Sequence, residues 1–228
     1  MSFFLDFLFP SRCYSCQKIG QYICPKCRVK LINKGIDPFL SKKLEASLSL
    51  FKYHPPLIKV LQDLKYHFIT HLADELVEIA VKEIETRYPS LLKYWQANNY
   101  LLIPIPLHQK RLNWRGFNQS ALLAKKLAYN LKLQYSDQIL FRLKYTQPQA
   151  KIKNKSFRAT NISNSFSVST LVTPPWRGPV GNVKITFSQF TNIILFDDII
   201  TTGSTIKSAV DTLTKHNFKS IWALSLAG

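Results

Sequence analysis

The chain is short of acid: 13 Asp and Glu face 31 Lys and Arg across 228 residues, for a formal net charge of +18 and a pI near 9.8. That imbalance exceeds what binding a small metabolite requires. Its natural counterpart is a polyanion, with nucleic acid ahead of a general basic bias. Long apolar runs are also missing, since no stretch approaches the ~20 apolar residues that cross a bilayer. The N-terminal run Phe3-Phe4-Leu5-Asp6-Phe7-Leu8-Phe9 is short, interrupted by Asp6 and not preceded by basic residues. It reads as a short amphipathic helix packed on the protein rather than a signal peptide, with peripheral membrane contact as the lesser alternative. The expectation is a cytoplasmic protein.

Cysteine is absent from most of the chain. All four, Cys13, Cys16, Cys24 and Cys27, fall in two C-x-x-C pairs separated by seven residues. Four thiolates at this spacing can close a tetrahedral zinc site, and nothing else in so short a segment could build a core. Two disulfides are the alternative, but they require an oxidising compartment, for which no export signal is present. A structural Zn²⁺ with four sulfur ligands has no open position, so no catalysis is expected there. Knuckles of this kind also occur in nucleic-acid-binding modules.

Apolar residues make up 46% of the chain, enough for a packed core. One run organises it. Residues 193–196, Ile-Ile-Leu-Phe, have the continuous β-branched and aromatic character of a strand buried on both faces. Asp197 and Asp198 end the run, and two charges there belong at the carboxyl end of a strand, facing a crevice. Thr201, Thr202, Gly203, Ser204 and Thr205 follow, then Ile206, Ala209, Val210 and Leu213 at the spacing of a helix with one apolar face. A hydroxyl-rich loop at a helix N-terminus suits a phosphate. Carboxylates beside it call for hydroxyl donors or a hard cation such as Mg²⁺. Phosphate, diol and Mg²⁺ together describe a sugar phosphate.

This stretch resembles the 5-phosphoribosyl-1-pyrophosphate (PRPP) motif of type I phosphoribosyltransferases. The resemblance implies that Thr201, Thr202, Gly203, Ser204 and Thr205 hold the 5-phosphate. It places Asp197 and Asp198 at the ribose hydroxyls and the Mg²⁺-bearing side, as the catalytic carboxylates of an active enzyme.

Upstream, Lys34-Gly35-Ile36-Asp37-Pro38 reads as a linker, dividing a knuckle region (1–40) from a larger domain (41–228). Residues 48–53 could be an edge strand. Pro55 and Pro56 open a helix with Ile58, Leu61 and Leu64 on one face, and a longer helix follows over 71–87, closed by Pro89. The run Tyr100 to Pro106 predicts a buried strand that stops by Pro104. Beyond it His108, Lys110, Arg111 and Arg115 form a basic loop suited to a pyrophosphate, and the spacing predicts a helix over 117–131. A strand over 139–143 precedes a polar, basic segment, 144–165, that could be a lid over the ligand or a nucleic-acid surface. Residues 171–189, rich in proline, form an irregular excursion. The motif helix runs to about 216, and residues 220–226 close as a buried strand. Strands alternating with helices from residue 100 onward predict an α/β fold with a doubly wound parallel sheet.

The segment Ile103 to Ser120, IPIPLHQKRLNWRGFNQS, is similar to the P-V-P-x-x-x-x-R-x-x-x-R-G-F-N-Q segment of the ComF (ComFC) competence family. That family also carries an N-terminal double C-x-x-C, an L-K-Y segment like Leu64-Lys65-Tyr66, and the PRPP motif. The positions of Arg142, Thr146, Gln149, Arg158 and Asn161 match its R-x-x-x-T-x-x-Q and R-x-x-N segments. Membership implies a phosphoribosyltransferase-type fold and a role in handling single-stranded DNA during natural transformation, alongside other uptake machinery such as a competence helicase. Candidate PRPP ligands are then Lys110, Arg111 and Arg115 with the motif residues. Candidate DNA ligands are Lys110, Arg111, Arg115, Lys144, Lys151, Lys153, Lys155 and Arg158, with Trp114, Phe117, Phe141, Tyr145 and Phe157 interleaved.

Two readings stay open: a PRPP-binding, DNA-handling protein, and an active phosphoribosyltransferase that releases pyrophosphate. The sequence offers no evident planar base clamp, which favours the first. A purely structural role would require a degenerate phosphate loop, and this loop is intact.

Overall fold

A computed structural model describes residues 10–66, 71–144, 165–169 and 191–228. Its centre is a six-stranded sheet in the order β1-β2-β8-β7-β3-β4, built from β1 (Asn33–Asp37), β2 (Ala46–Phe51), β3 (Leu101–Pro104), β4 (Gln134–Tyr135), β7 (Asn192–Ile199) and β8 (Ser220–Ala227). Only β1 runs antiparallel to its neighbour; β2, β8, β7, β3 and β4 are mutually parallel. A short antiparallel pair, β5 (Leu140–Arg142) with β6 (Phe166–Val168), stands apart.

Both faces of the parallel strands are covered. Ile194, Phe196, Leu224 and Leu226 point into one core, filled from α1 (Pro25–Arg28), α2 (Leu57–Tyr66), α3 (His71–Arg87), α4 (Pro89–Ala97) and α6 (Gln119–Asn130). Ile193, Leu195, Ile221 and Ala223 point into a second, filled by Ile206, Ala209, Val210 and Leu213 of α7 (Ser204–Lys215) and by Leu140 and Phe166 of the small pair. Alternate residues of one strand serve opposite cores, which is why residues 193–196 read as an unbroken apolar run. The architecture is mixed α/β with a mainly parallel central sheet.

Four local expectations are revised. The stretch read as a linker is β1, paired to β2 from Asn33↔Phe51 to Asp37↔Ser47, so the strand lies on the knuckle side of residue 40 yet belongs to the sheet. β2 is accordingly an interior strand, buried at all six positions. Pro89 begins α4, which sends Leu92 and Trp95 into the core: a proline lacks only an N–H that the first turn leaves unpaired. The basic loop after β3 is a short helix, α5 (Gln109–Arg115), with His108 accepting from the Lys110 N–H at its start and Gly116 in the left-handed region at its end. The excursion 171–189 and nearly all of the segment 144–165 lie outside the described residues.

Among the described residues no helix is long and apolar enough to cross a membrane.

Candidate functional site

The parallel strands β2, β3, β7 and β8 end on one edge of the sheet, and the site assembles there. β7 runs three residues past the apolar stretch 193–196, so Asp197 pairs with Ser225 inside the ladder and Asp198 is buried. Isolated carboxylates at such depth would be costly. Each has partners. Lys65, in the last turn of α2, places its Nζ 2.5 Å from Asp198 Oδ2. Asp197 Oδ1 accepts from the Ser120 hydroxyl at 2.9 Å and from the Asp198 N–H at 3.0 Å. Burial, then the neighbouring Asp198 charge, pushes the Asp197 carboxyl up to about 7, against the opposing pull of Lys65 and Ser120.

The segment Arg115-Gly116-Phe117-Asn118-Gln119-Ser120 has a stereochemical reason for most of its residues. Gly116, at φ 77°, ends α5 in a conformation that costs a glycine little. Asn118 caps α6 by accepting from the Ser120 N–H at 3.1 Å, and its amide donates to the Ile105 carbonyl at 3.0 Å, tying the helix to the end of β3. Gln119 accepts from Arg115 Nη1 at 2.5 Å. Ser120 is thereby aimed at Asp197. The buried Arg115 guanidinium lies 5.5 Å from the ring of Tyr66, within cation–π range. Burial lowers its basicity; Tyr66 and Asp198 support the charge and Arg111 opposes it. Arg142, on β5, likewise loses basicity through burial and through Arg111, while Asp197 favours its charge. Three cations, Lys65, Arg115 and Arg142, are thus in electrostatic reach of the two carboxylates, and Arg111 is in reach of Arg115 and Arg142. The cluster carries a positive surplus suited to an anion.

Beyond the carboxylates, Thr201 and Thr202 are exposed and Ser204 and Thr205 half-buried. Gly203 caps α7 at φ 68° with no side-chain cap, and Thr202 Oγ1 donates to Ser204 Oγ at 3.1 Å. The positive φ at position 203 favours glycine, and a side chain there would also have to displace the side chain of Leu40. The first turn of α7 therefore presents backbone N–H groups beside two exposed threonines, the arrangement that receives phosphate.

The structure unites Asp197, Asp198, Arg111 and Arg115 among the residues predicted from sequence. Lys110 stands exposed on α5, and Lys144 is exposed two residues past the end of β5. Lys151, Lys153, Lys155 and Arg158 lie outside the described residues. The ends of the segment 144–165 are brought together, because the Leu143 N–H donates to the Ser165 carbonyl at 2.8 Å. Lys65 and Ser120 were not singled out as site residues by sequence reasoning, and Arg142 only as a family match. The L-K-Y segment and the serine that follows R-G-F-N-Q were the available signals.

The cysteines form a second centre. All four are free thiols, and their Sγ atoms lie within 4.8 Å of one another. At Cys13, burial is outweighed by hydrogen bonds from the backbone at Cys24, Cys16 and Ser15, which bring the thiol down to about 6. Sulfur donors in this grouping, with one already favouring thiolate, could hold a metal such as zinc.

No family model matches the chain. The curated relatives are nevertheless consistent. Competence protein F of Haemophilus influenzae is 29% identical over 77% of this chain and 70% of its own. Competence protein ComFC of Bacillus subtilis is 25% identical over 88% and 77%. These likenesses support the ComF family for this chain. A further relative, the DNA utilization protein YhgH of Escherichia coli K12, is 24% identical over 94% of this chain and 88% of its own.

Proposed function

We propose that this ComF-like protein binds PRPP with Mg²⁺ at the carboxyl edge of its sheet, on a type I phosphoribosyltransferase-like scaffold, and handles single-stranded DNA during natural transformation. The observation that carries the PRPP reading is the side-by-side placement of an uncapped, hydroxyl-rich helix start and an acidic pair, Asp198 buried and Asp197 half-buried, beside a surplus of cations. Thr201 to Thr205 receive the 5-phosphate, Asp197 and Asp198 the ribose hydroxyls, and Lys65, Arg111, Arg115 and Arg142 the diphosphate. Carboxylate oxygens are hard donors that fit Mg²⁺, which when bound neutralises diphosphate charge.

The DNA reading is supported by the net charge of +18, by the exposed Lys110 and Lys144, and by Trp114 and Phe141, which are 69% and 44% exposed near the site and could stack bases. Relatives named for competence and DNA utilization accord with it. Cytoplasmic residence follows from this role.

An active transferase is the second reading. Asp197, with a pKa about 7, would suit a general base that takes the proton of an incoming nucleophile. The deciding experiment incubates the protein with PRPP, Mg²⁺ and a panel of nucleobases, with and without single-stranded DNA, and measures pyrophosphate. Binding without release supports the first reading; base-dependent release supports the second.

A further inference from the structure

The cysteine centre and the candidate site are joined by a single helix. Tyr14 sits between Cys13 and Cys16, and its hydroxyl donates to Asp63 Oδ2 at 2.5 Å. Asp63 lies in the last turn of α2, two residues before Lys65, whose ammonium meets Asp198. At about 100° per residue, positions 63 and 65 look out from nearly opposite sides of the helix. The fully buried Leu64 stands between them. The last turn of α2 is therefore gripped from one side by the cysteine module and from the other by the acidic pair.

The same module also grips the next helix. Glu75 of α3 accepts from the Tyr22 N–H at 2.8 Å and the Ile23 N–H at 2.6 Å, and Arg28 reaches Glu78 at 2.7 Å. The ring of Tyr22 lies 6.1 Å from that of Tyr14. Lys59, one turn before Asp63, places its ammonium 5.6 Å from the Tyr14 ring. The contacts of Tyr14 with Asp63 and Lys59 hold the module against α2, and those with Glu75 and Glu78 hold it against α3.

We propose that Tyr14 is a positioning residue: through Asp63 and the last turn of α2, the cysteine module sets where Lys65 stands beside Asp198 and so tunes the binding of a diphosphate-bearing ligand. The inference takes that ligand's identity from the PRPP reading, while the coupling of Tyr14 to Lys65 stands on its own contacts. A hydrogen-bonded helix packed through Leu57, Val60, Leu61 and Leu64 moves as a unit, so a displacement imposed at Asp63 is felt at Lys65. The Cys13–Cys16 loop carries Tyr14, and closing the four sulfurs around a metal would fix that loop.

A double-mutant cycle tests this. Tyr14→Phe keeps the ring and removes the hydroxyl. Calorimetric titrations with PRPP and Mg²⁺ compare the wild type, Tyr14→Phe, Lys65→Met and the double variant, with bound zinc measured in each. Tyr14→Phe should weaken binding about fivefold when Lys65 is present and have no further effect when it is Met, at unchanged zinc content. Effects that simply multiply overturn the proposal. Hydrogen exchange in residues 57–66 reads the coupling without ligand: Tyr14→Phe, or chelation of the metal from the wild type, should speed exchange in the last turn of α2. Unchanged exchange overturns the proposal even if PRPP fails to bind. Failure of the wild type to bind PRPP contradicts the ligand assignment alone and leaves the exchange result to decide the coupling.

Discussion

Lys65 Nζ lies 2.5 Å from Asp198 Oδ2, linking the end of the helix that follows β2 to the carboxyl end of the central strand. Both side chains are largely removed from solvent, so each depends on the other. Lys65→Met strands a buried carboxylate and should cost about 3 kcal/mol of stability. Adding Asp198→Asn removes the stranded charge and should restore most of the loss. Chemical denaturation of the two variants checks this, and equal instability in both would contradict it.

Asp197 carries a pH prediction. Its carboxyl is raised from 3.8 to about 7 by burial and by Asp198, so between those values the folded state binds more protons than the unfolded one. This group's contribution to stability is therefore greatest at low pH, falls as pH rises toward 7 and is level above it. Asp197→Asn should flatten that part of the profile. A ligand that brings a cation to the pair favours the ionised form. PRPP and Mg²⁺ should then bind more tightly at pH 8 than at pH 6, with proton release visible as a buffer-dependent binding enthalpy. Ser120→Ala, which removes a hydrogen bond to the ionised form, should move the midpoint higher.

Much of this site could be read from residues 192–213 because that stretch obeys local rules. A run buried on both faces reads as continuous apolar sequence, and Ile206, Ala209, Val210 and Leu213 mark one helix face; all four are buried. The helix over 71–87 was legible for the same reason. What escaped was set by capping or by distant pairing. α5 has no apolar stripe to find and is bounded by His108 and Gly116. β1 carries Gly35 and Asp37, poor strand formers held by pairing with β2. The Lys65–Asp198 contact depends on how α2 packs against the sheet, which no local pattern encodes.

Single-stranded DNA affinity should fall steeply with salt. Each Lys or Arg contact with a phosphate contributes about 0.7 to the slope of log affinity against log salt for a single strand. Trp114→Ala should weaken binding by about 1–3 kcal/mol if a base stacks there. A flat salt dependence would assign the excess charge to another purpose.

The cysteine centre makes a separate claim. Metal analysis should find about one zinc per chain, lost in Cys24→Ser. Thiol titration that recovers two disulfides in place of free thiols would contradict it.

The central claim is tested most directly by calorimetric titration of PRPP with Mg²⁺ into the wild type and into the paired variant Asp197→Asn, Asp198→Asn, whose side chains keep their shape without charge. The account predicts saturable binding to the wild type and loss of binding in the variant at unchanged fold, judged by circular dichroism. Equal affinity in both, or no heat with the wild type, would contradict it.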